Sequence, residues 1–172
     1  MSPRDIDLVF TTVRNLSEAH ELAAATSSVL YQAADDAQTW ACVHPPSSGS
    51  PFPPAFTGQL AVDVSNDVDP SSASMLVTLH YTIPEGRAAD FEAWFSDEHA
   101  QILVEEPAWL SVRVVRGESR DDHSTHLVVH ELADASALSS AALHRARETP
   151  DRARFAELDW FRGARTRQYA RA

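Results

Sequence analysis

The residues best suited to chemistry are Glu98 and His99, which interrupt the apolar face of the amphipathic segment FEAWFSDEHAQIL. Large apolar side chains recur around them at the spacing of a buried helical face: Phe91, Trp94, Phe95, Ile102 and Leu103. Glu98 and His99 occupy the two positions that should complete this face. A carboxylate and an imidazole buried there need polar partners or a wet cavity, so the interruption predicts a functional site.

His99 is the leading catalytic candidate, because an imidazole takes up or releases a proton near neutral pH. Such a group could abstract a proton from a phenol or an acidic carbon. The alternative is a core histidine that bonds a backbone carbonyl. Glu98 is a better candidate than Asp97 to orient the imidazole, since on a helix Asp97 points roughly 200° away from His99. We expect Asp97 in solvent.

Three predicted strands carry further candidates, because alternate side chains of a strand share one face. If the more continuously apolar face of each strand packs on helices, a set of polar side chains turns to the opposite, interior face: Thr78, His80, Ser111, Arg113, His126 and His130. Each of the strand histidines could serve the site or be an ordinary buried or rim histidine. Arg113 could bind a substrate carboxylate or phenolate in a bidentate fork, or pair with an acid, and the sequence leaves both open.

Metal and covalent chemistry find little support in the spacing of the candidate residues. His126 and His130 lie four residues apart on a strand, about 13 Å at the normal rise, so they cannot bind one metal ion together. Asp122, His123 and His126 lie at a turn and form at most a weak metal site. The sequence has no Gly-rich phosphate loop and no nucleophile elbow, and the single Cys42 excludes an internal disulfide. We expect no metal site from these residues.

The composition is that of a globular, acidic protein. The 172 residues include 25 acidic residues and 14 arginines, which gives a formal net charge of -11. Nucleic acid and anionic membranes demand a basic surface, so neither is expected as a partner. The arginines from Arg145 to Arg171 lie among acidic residues, which predicts a solvated, ion-paired face. No apolar run resembles a signal peptide or a membrane span, and we expect a soluble, cytoplasmic protein.

Apolar periodicity and turn residues define the expected elements. Strands are predicted at residues 6–13, 40–44, 56–64, 75–83, 109–116, 125–132 and 161–169. Helices are predicted from a capping box at Asn15 and Glu18 to about residue 33, at residues 87–105, from Asp134 or Ser136 to residue 148, and from Pro150 to about residue 158.

The order strand, helix, Trp-headed strand, strand occurs twice, which predicts a degenerate internal repeat. Trp40 aligns with Trp109 at a spacing of 69 residues, and His99 then corresponds to Leu30. The first copy lacks the final helix and strand. We therefore expect an α+β fold of two ferredoxin-like β-α-β-β(-α-β) repeats, the first truncated, whose antiparallel sheets pack as an α/β barrel. Residues 1–70 form the expected N-terminal half and residues 75–172 the C-terminal half.

The second half resembles the EthD-like branch of the dimeric α/β-barrel superfamily. The resemblance rests on the aromatic pair Trp94-Phe95 followed after three residues by His99, and it extends from residue 75 to residue 169. Further positions similar to the family's loop and strands are Pro107, Trp109, Arg113, Arg165, Arg167 and Tyr169. The added first half departs from the family pattern, so the barrel is expected either within one chain or through a homodimer.

The resemblance implies that the barrel lumen binds a hydrophobic small molecule of aromatic or polyketide-like type. It further implies catalysis without metal or organic cofactor by decarboxylases, cyclases and other lyases, while more distant relatives are linked to haem or oxygenate anthrones. Our first hypothesis is thus a cofactor-independent lyase or cyclase of secondary metabolism that carries out decarboxylation, cyclisation or dehydration. The catalytic candidates are His99, His80, His130 and Glu98, and the substrate-binding candidates are Trp94, Arg113, Thr78, Tyr81 and His126. The alternatives are a non-catalytic carrier and a haem-binding or monooxygenase-type relative with His99 as axial ligand.

Overall fold

The computed structural model describes residues 8–45, 50–69 and 72–172, and within them eight strands close into one antiparallel barrel. The strands are β1 (Leu8–Val13), β2 (Tyr31–Ala33), β3 (Trp40–His44), β4 (Phe56–Ser65), β5 (Met75–Tyr81), β6 (Trp109–Ser119), β7 (His126–Leu132) and β8 (Arg165–Arg171). Their order around the ring is β1-β3-β2-β8-β5-β7-β6-β4. The predicted α+β fold with antiparallel sheets packed as a barrel is confirmed.

The helices are α1 (Leu16–Thr26), α2 (Ala88–Trp94), α3 (Ala100–Val104), α4 (Ala141–Glu148), α5 (Pro150–Ala156) and α6 (Asp159–Arg162). A π-helical segment, Phe95–His99, joins α2 to α3, so that the predicted helix over residues 87–105 is continuous but widened in its middle. Short 3-10 turns occupy Glu85–Arg87 and Ala135–Ser139. No helix in the described part of the chain is long and apolar enough to cross a membrane.

Both halves of the ring follow one ferredoxin-like strand order, in which the fourth strand is followed by the first, third and second. In the first half this order is β4-β1-β3-β2, and in the second it is β8-β5-β7-β6. The halves meet at two seams, where β2 pairs with β8 and β4 pairs with β6. One chain therefore closes the barrel without a second copy. The division at residues 1–70 and 75–172 into two repeats stays a prediction.

The predicted alignment of the two halves is wrong in its register. Helix α1 ends at Thr26, where Ser27 adopts a left-handed conformation with φ 52° and its N–H donates to the Ala23 carbonyl. The chain then forms β2, which the apolar periodicity predicted as helix. Leu30 is therefore not helical and does not correspond to His99. The first half also keeps its fourth strand, β4, and lacks only a helix between β3 and β4 in its described residues.

Asn15 caps α1 as predicted, but Glu18 does not complete the capping box, because its carboxylate reaches Arg14 and not the N–H of Asn15. The Asn15 side chain accepts a hydrogen bond from the Glu18 N–H at 2.9 Å, and the Glu18 carboxylate accepts one from the Arg14 N–H at 3.2 Å. The last strand begins later than predicted, since Phe161 is buried in α6 and β8 starts at Arg165.

Two glycines allow the backbones of β4 and β6 to approach closely at the seam between the halves. Gly58 lies opposite Gly117 in the pairing of these strands. A Cβ atom on Gly58 would fall on the Arg116 carbonyl, and one on Gly117 would fall on the Thr57 carbonyl. Any side chain here would therefore force the strands apart.

The sheet separates two apolar clusters. One contains residues from all eight described strands and fills the barrel interior; its members include Leu8, Phe10, Phe56, Leu76, Leu127 and Tyr169. The other lies between the sheet and helices α2 to α6, with Phe91, Trp94, Phe95, Val112, Val128 and Phe155 among its members. Helix α1 covers a smaller cluster on the first half, around Leu22 and Cys42.

Candidate functional site

His99 ends the π-helical segment and turns toward the sheet. The segment is anchored by the predicted apolar face, of which Phe91, Trp94, Phe95 and Leu103 are buried. The imidazole packs between two of these rings, with centroid distances of 4.8 Å to Trp94 and 5.0 Å to Phe95. A π-helical turn inserts an extra residue into the helix, and such turns recur at functional sites.

The two ring nitrogens of His99 differ in their surroundings. One ring N–H donates to the Ala146 carbonyl on α4. The other nitrogen, Nδ1, is shielded from water and has no hydrogen-bond partner in the described part of the protein. Because Nδ1 has no acceptor to donate to, we assign the proton to Nε2, which leaves Nδ1 as a free lone pair. The alternative of a core histidine that bonds a backbone carbonyl thus describes one ring nitrogen, while the other is available to accept a proton.

Burial holds His99 in its neutral form. Its pKa is lowered to about 4, mainly by desolvation and to a smaller extent by the guanidinium of Arg152. The hydrogen bond to Ala146 and the carboxylate of Glu98 act in the opposite direction but are weaker. At neutral pH the side chain is therefore an acceptor at Nδ1 rather than a cation.

A second histidine, His130 on β7, faces the same space. The indole N–H of Trp109 donates to His130 Nδ1 at 3.2 Å, which places the proton of the neutral ring on Nε2. Burial and, to a smaller extent, the neighbouring His99 lower the pKa of His130 to about 3. A lone pair on His99 and an N–H on His130 thus lie in one environment.

His99 and His130 line a cavity of about 190 Å³ between the sheet and the helices. Aromatic rings form much of its wall: Tyr81, Trp94, Phe95, Trp109 and Phe161. Two arginines, Arg147 and Arg152, complete it on the side of α4 and α5. We call this space the helix-covered cavity. This cavity lies outside the barrel. The family resemblance implied binding in the barrel lumen, but His99 lines the helix-covered cavity instead.

Glu98 holds the helices together and does not bond His99. Its Oε1 atom accepts hydrogen bonds from the Trp94 indole at 2.9 Å and from the Thr149 hydroxyl at 2.6 Å. Thr149 is the cap of α5, so Glu98 fixes α5 against α2. Glu98 therefore does not orient the imidazole through a hydrogen bond in the way predicted, because its hydrogen-bond partners in the described residues are Trp94 and Thr149. Asp97 is exposed, as predicted.

Two of the strand histidines face opposite to the prediction. His130 lies opposite Val77 on β5, and His126 lies opposite Tyr81. Residues directly opposite each other share a face of the sheet, so both histidines face the helices and not the barrel interior. His126 Nε2 lies 3.1 Å from Glu92 Oε1 on α2, and it does not reach the helix-covered cavity.

Thr78 and His80 do face the barrel interior, as predicted, and are therefore separated from His99 by the sheet. Thr78 is buried opposite Val129. The His80 ring meets Phe10 and Phe56 at centroid distances of 6.2 Å each. Burial lowers the pKa of His80 to about 4, with a smaller contribution from Arg165.

Arg113 also lies on the interior side, where it pairs with an acid. Its guanidinium is 2.7 Å from Glu131, and the Ser111 hydroxyl donates to the same carboxylate at 2.5 Å. These three side chains line a second cavity of about 380 Å³ at one mouth of the barrel, together with Tyr31 and Asp63. Of the two roles left open for Arg113, the structure shows the ion pair.

The functional residues that the sequence pattern missed are Arg147 and Arg152. Five of their neighbours form the predicted ion-paired face: Arg145 with Glu105, Arg154 with Asp151, Arg162 with Asp159, Arg165 with Asp122, and Arg167 with Asp35. Arg147 and Arg152 have no carboxylate within 4.0 Å in the described chain. The Thr149-Pro150 cap separates α4 from α5, and the two arginines lie on either side of it. This position was the one sign in the sequence that they lie close together.

The arrangement can transfer a proton on a small aromatic molecule. It combines a free imidazole lone pair, an imidazole N–H and two guanidinium groups around one apolar cavity. The described residues hold no group of three or more His, Cys, Asp or Glu side chains that could bind a metal ion. At the turn that offered at most a weak metal site, Asp122 pairs with Arg165 and His126 contacts Glu92.

No protein-family model and no curated protein matches this chain. Solved structures match over nearly the whole chain at low identity. A ferredoxin-fold protein from Listeria monocytogenes, related to antibiotic biosynthesis monooxygenases, has a TM-score of 0.69 at 10% identity and covers 98% of this chain and 95% of its own. A heme-degrading enzyme from Listeria monocytogenes has a TM-score of 0.64 at 10% identity, with 95% and 98% covered.

An anthrone oxidase-like protein has a TM-score of 0.61 at 10% identity and covers 100% of this chain and 94% of its own. At such identities the likeness shows the fold alone and does not distinguish the EthD-like branch. The chain therefore shares the ferredoxin-like fold of these structures, and its described strands close into one barrel.

Proposed function

We propose that the protein is a cofactor-independent enzyme that moves a proton on an aromatic or polyketide-like substrate in the helix-covered cavity. The observation that carries this proposal is the pairing of the free Nδ1 of His99 with the N–H of His130 in one aromatic cavity. A buried acceptor without a partner costs about 1–3 kcal/mol, and a substrate hydroxyl or acidic C–H group would supply the missing donor.

In this proposal His99 is the base and His130 the hydrogen-bond donor. The proton leaves the substrate for His99 Nδ1, and its electron pair stays on the substrate as an enolate or phenolate. The Nε2–H of His130 donates to the oxygen on which that charge develops. Because Nδ1 is shielded from water, the proton comes from the bound molecule and not from bulk solvent.

Decarboxylation, aldol-type cyclisation and dehydration all proceed through such an anion, and the EthD-like assignment remains part of this proposal. The aromatic wall of the cavity supports a flat, ring-containing substrate. Glu98, Trp94 and Tyr81 serve as positioning and wall residues. The proposed site does not include four of the predicted residues, because they lie outside the cavity: the catalytic candidate His80 and the substrate-binding candidates Thr78, Arg113 and His126.

A haem-binding function is the second candidate, because a heme-degrading enzyme shares the fold and His99 is a neutral imidazole. The described cavity does not fit this group. Its volume of about 190 Å³ lies below the range of roughly 300–1,000 Å³ for pockets that hold drug-sized ligands, and haem is larger than these. Haemin added to the protein should therefore give no Soret shift that depends on His99.

The test of the proposed function is the metabolite profile of the producing strain with His99→Ala at the native locus. We expect the final product to disappear and its precursor to accumulate. His144→Ala is the matched control, because His144 is exposed on α4 and lies outside the cavity. An unchanged profile in the His99→Ala strain, with the variant protein folded and present, would contradict the proposal. A wild-type protein that binds the ligand but does not convert it would favour a carrier.

A further inference from the structure

Arg147 and Arg152 have no carboxylate within ion-pair distance among the residues that the structure describes, although the protein is acidic. The chain carries 25 acidic residues for 14 arginines, so carboxylates are plentiful. Neighbouring arginines of the same two helices do find them: Arg145 on α4 pairs with Glu105, and Arg154 on α5 pairs with Asp151. Among the arginines of α4 and α5, the two without such an ion pair in the described residues are Arg147 and Arg152, which line the helix-covered cavity.

Arg152 is the inner of the two. It is half-buried, and its guanidinium lies 4.6 Å from the centre of the Phe161 ring. Desolvation lowers the pKa of Arg152, and the charge of Arg147 lowers it further. Arg147 is exposed at the rim. Holding two guanidinium groups close enough to repel each other, with one of them partly desolvated, is unfavourable unless an anion binds between them.

We infer that the substrate of the helix-covered cavity is an aromatic carboxylate whose acid group is bound by Arg152 and Arg147. The planar guanidinium matches a carboxylate in a bidentate fork. The ring of the ligand then lies among the aromatic side chains of the wall, within reach of His99. This inference rests on the proposed function only for the identity of the bound molecule as a substrate.

The cavity volume limits the ligand to a small ring system. About 190 Å³ holds one ring or two fused rings, while larger polycyclic acids would have to displace wall residues. The wall is aromatic on the sheet side as well as on the helix side, through Tyr81 and Phe161. Offset stacking against these rings favours a flat ligand over an aliphatic acid of the same charge.

An anion between the arginines would also affect His99. Its pKa is lowered in part by Arg152 and Arg147, so neutralising these charges would raise it toward the range in which an imidazole is an effective base. The charged and titratable groups that face His99 are Arg147, Arg152, Glu98, His130 and Tyr81. Binding of the ligand's carboxylate would thus make His99 a more effective base.

The experiment is a binding titration of the purified full chain with benzoate and 2-naphthoate, each compared with its neutral amide. Tryptophan fluorescence reports binding, since Trp94 and Trp109 line the cavity. We expect each carboxylate that binds to do so about tenfold or more tightly than its amide. Arg152→Gln should reduce this preference to near one, and Arg147→Gln should reduce it in part.

The matched controls are Arg154→Gln on α5 and Arg145→Gln on α4, which remove paired charges from the same helices. Both should keep the wild-type preference for the carboxylate. The inference is overturned if no carboxylate binds more tightly than its amide, or if the preference persists in Arg152→Gln and Arg147→Gln combined.

The two proposals fail separately. Arginine-dependent binding of the carboxylates together with an unchanged metabolite profile in His99→Ala would leave the anion site standing and remove the catalytic proposal. Equal binding of acids and amides with a lost product would do the reverse.

Discussion

Acid should destabilise the protein through His99, because the fold holds this imidazole neutral. Its pKa is lowered from 6.5 to about 4, mainly by burial. The unfolded chain therefore binds a proton as the pH falls through 6.5, while the folded protein binds it only near pH 4. Stability is lost across this window, by about 2 kcal/mol between pH 7 and pH 5 and about 3 kcal/mol by pH 4.

The assay is urea unfolding of the wild type and of His99→Gln at pH 7 and pH 5. Glutamine keeps an N–H that can bond the Ala146 carbonyl but does not titrate. We expect the variant to lose about 2 kcal/mol less than the wild type between the two pH values. Some acid sensitivity should remain in the variant, since burial also lowers the pKa of His130, to about 3.

His20→Gln is the control, because His20 is exposed on α1 and its removal leaves the cavity unchanged. This variant should follow the wild type at both pH values. Equal losses in the wild type and in His99→Gln would refute the reasoning, since they would mean that His99 is solvated well enough to titrate normally in the folded protein.

Three further outcomes test the fold around the site. Gly117→Ala should lower the free energy of unfolding by about 1–3 kcal/mol, because a Cβ there collides with the facing strand, whereas Gly86→Ala, in open space, should change it by less than about 0.5 kcal/mol. Glu98→Ala should lower the free energy of unfolding by about 1–3 kcal/mol and shift tryptophan emission, since the Trp94 indole N–H and the Thr149 hydroxyl lose their acceptor. Cys42, whose pKa burial raises to about 12, should resist iodoacetamide in the native protein and react in urea.

Contrary results would be equally informative. A stable Gly117→Ala variant would show that β4 and β6 can separate at this seam, and equal stability of Glu98→Ala and the wild type would show that α5 does not depend on this anchor. Rapid labelling of native Cys42 would mean that α1 opens readily from the sheet.

Local chemistry made much of the fold predictable. The structure confirms the features that are set by residues close in sequence: the apolar face of the helix around Phe91 and Trp94, the cap of α1 at Asn15, and the predicted strand runs. The end of α1 was not predictable in this way. Ser27 carries no strong stop signal, and the apolar periodicity continues through Leu30 although the chain there turns into β2.

The candidate site was predictable only where it rests on the helix. His99 and Trp94 were identified because they share one amphipathic segment. Arg147 and Arg152 were not, because an arginine among acidic neighbours predicts an ion pair, and only the packing of α4 and α5 decides which arginines find one. Their significance is a matter of tertiary distance, which local patterns do not contain.

The strand histidines show how a single pairing decides a site. Parity within one strand groups Thr78 with His80, and parity within another groups His126 with His130, but neither pattern relates the two strands. The pairing of β5 with β7 places His80 opposite Leu127 and Val77 opposite His130. Since opposite residues share a face, His80 and His130 cannot both face the barrel interior, and a register shift by one residue would exchange them. The register of β5 against β7 therefore determines that His130, and not His80, shares the cavity with His99.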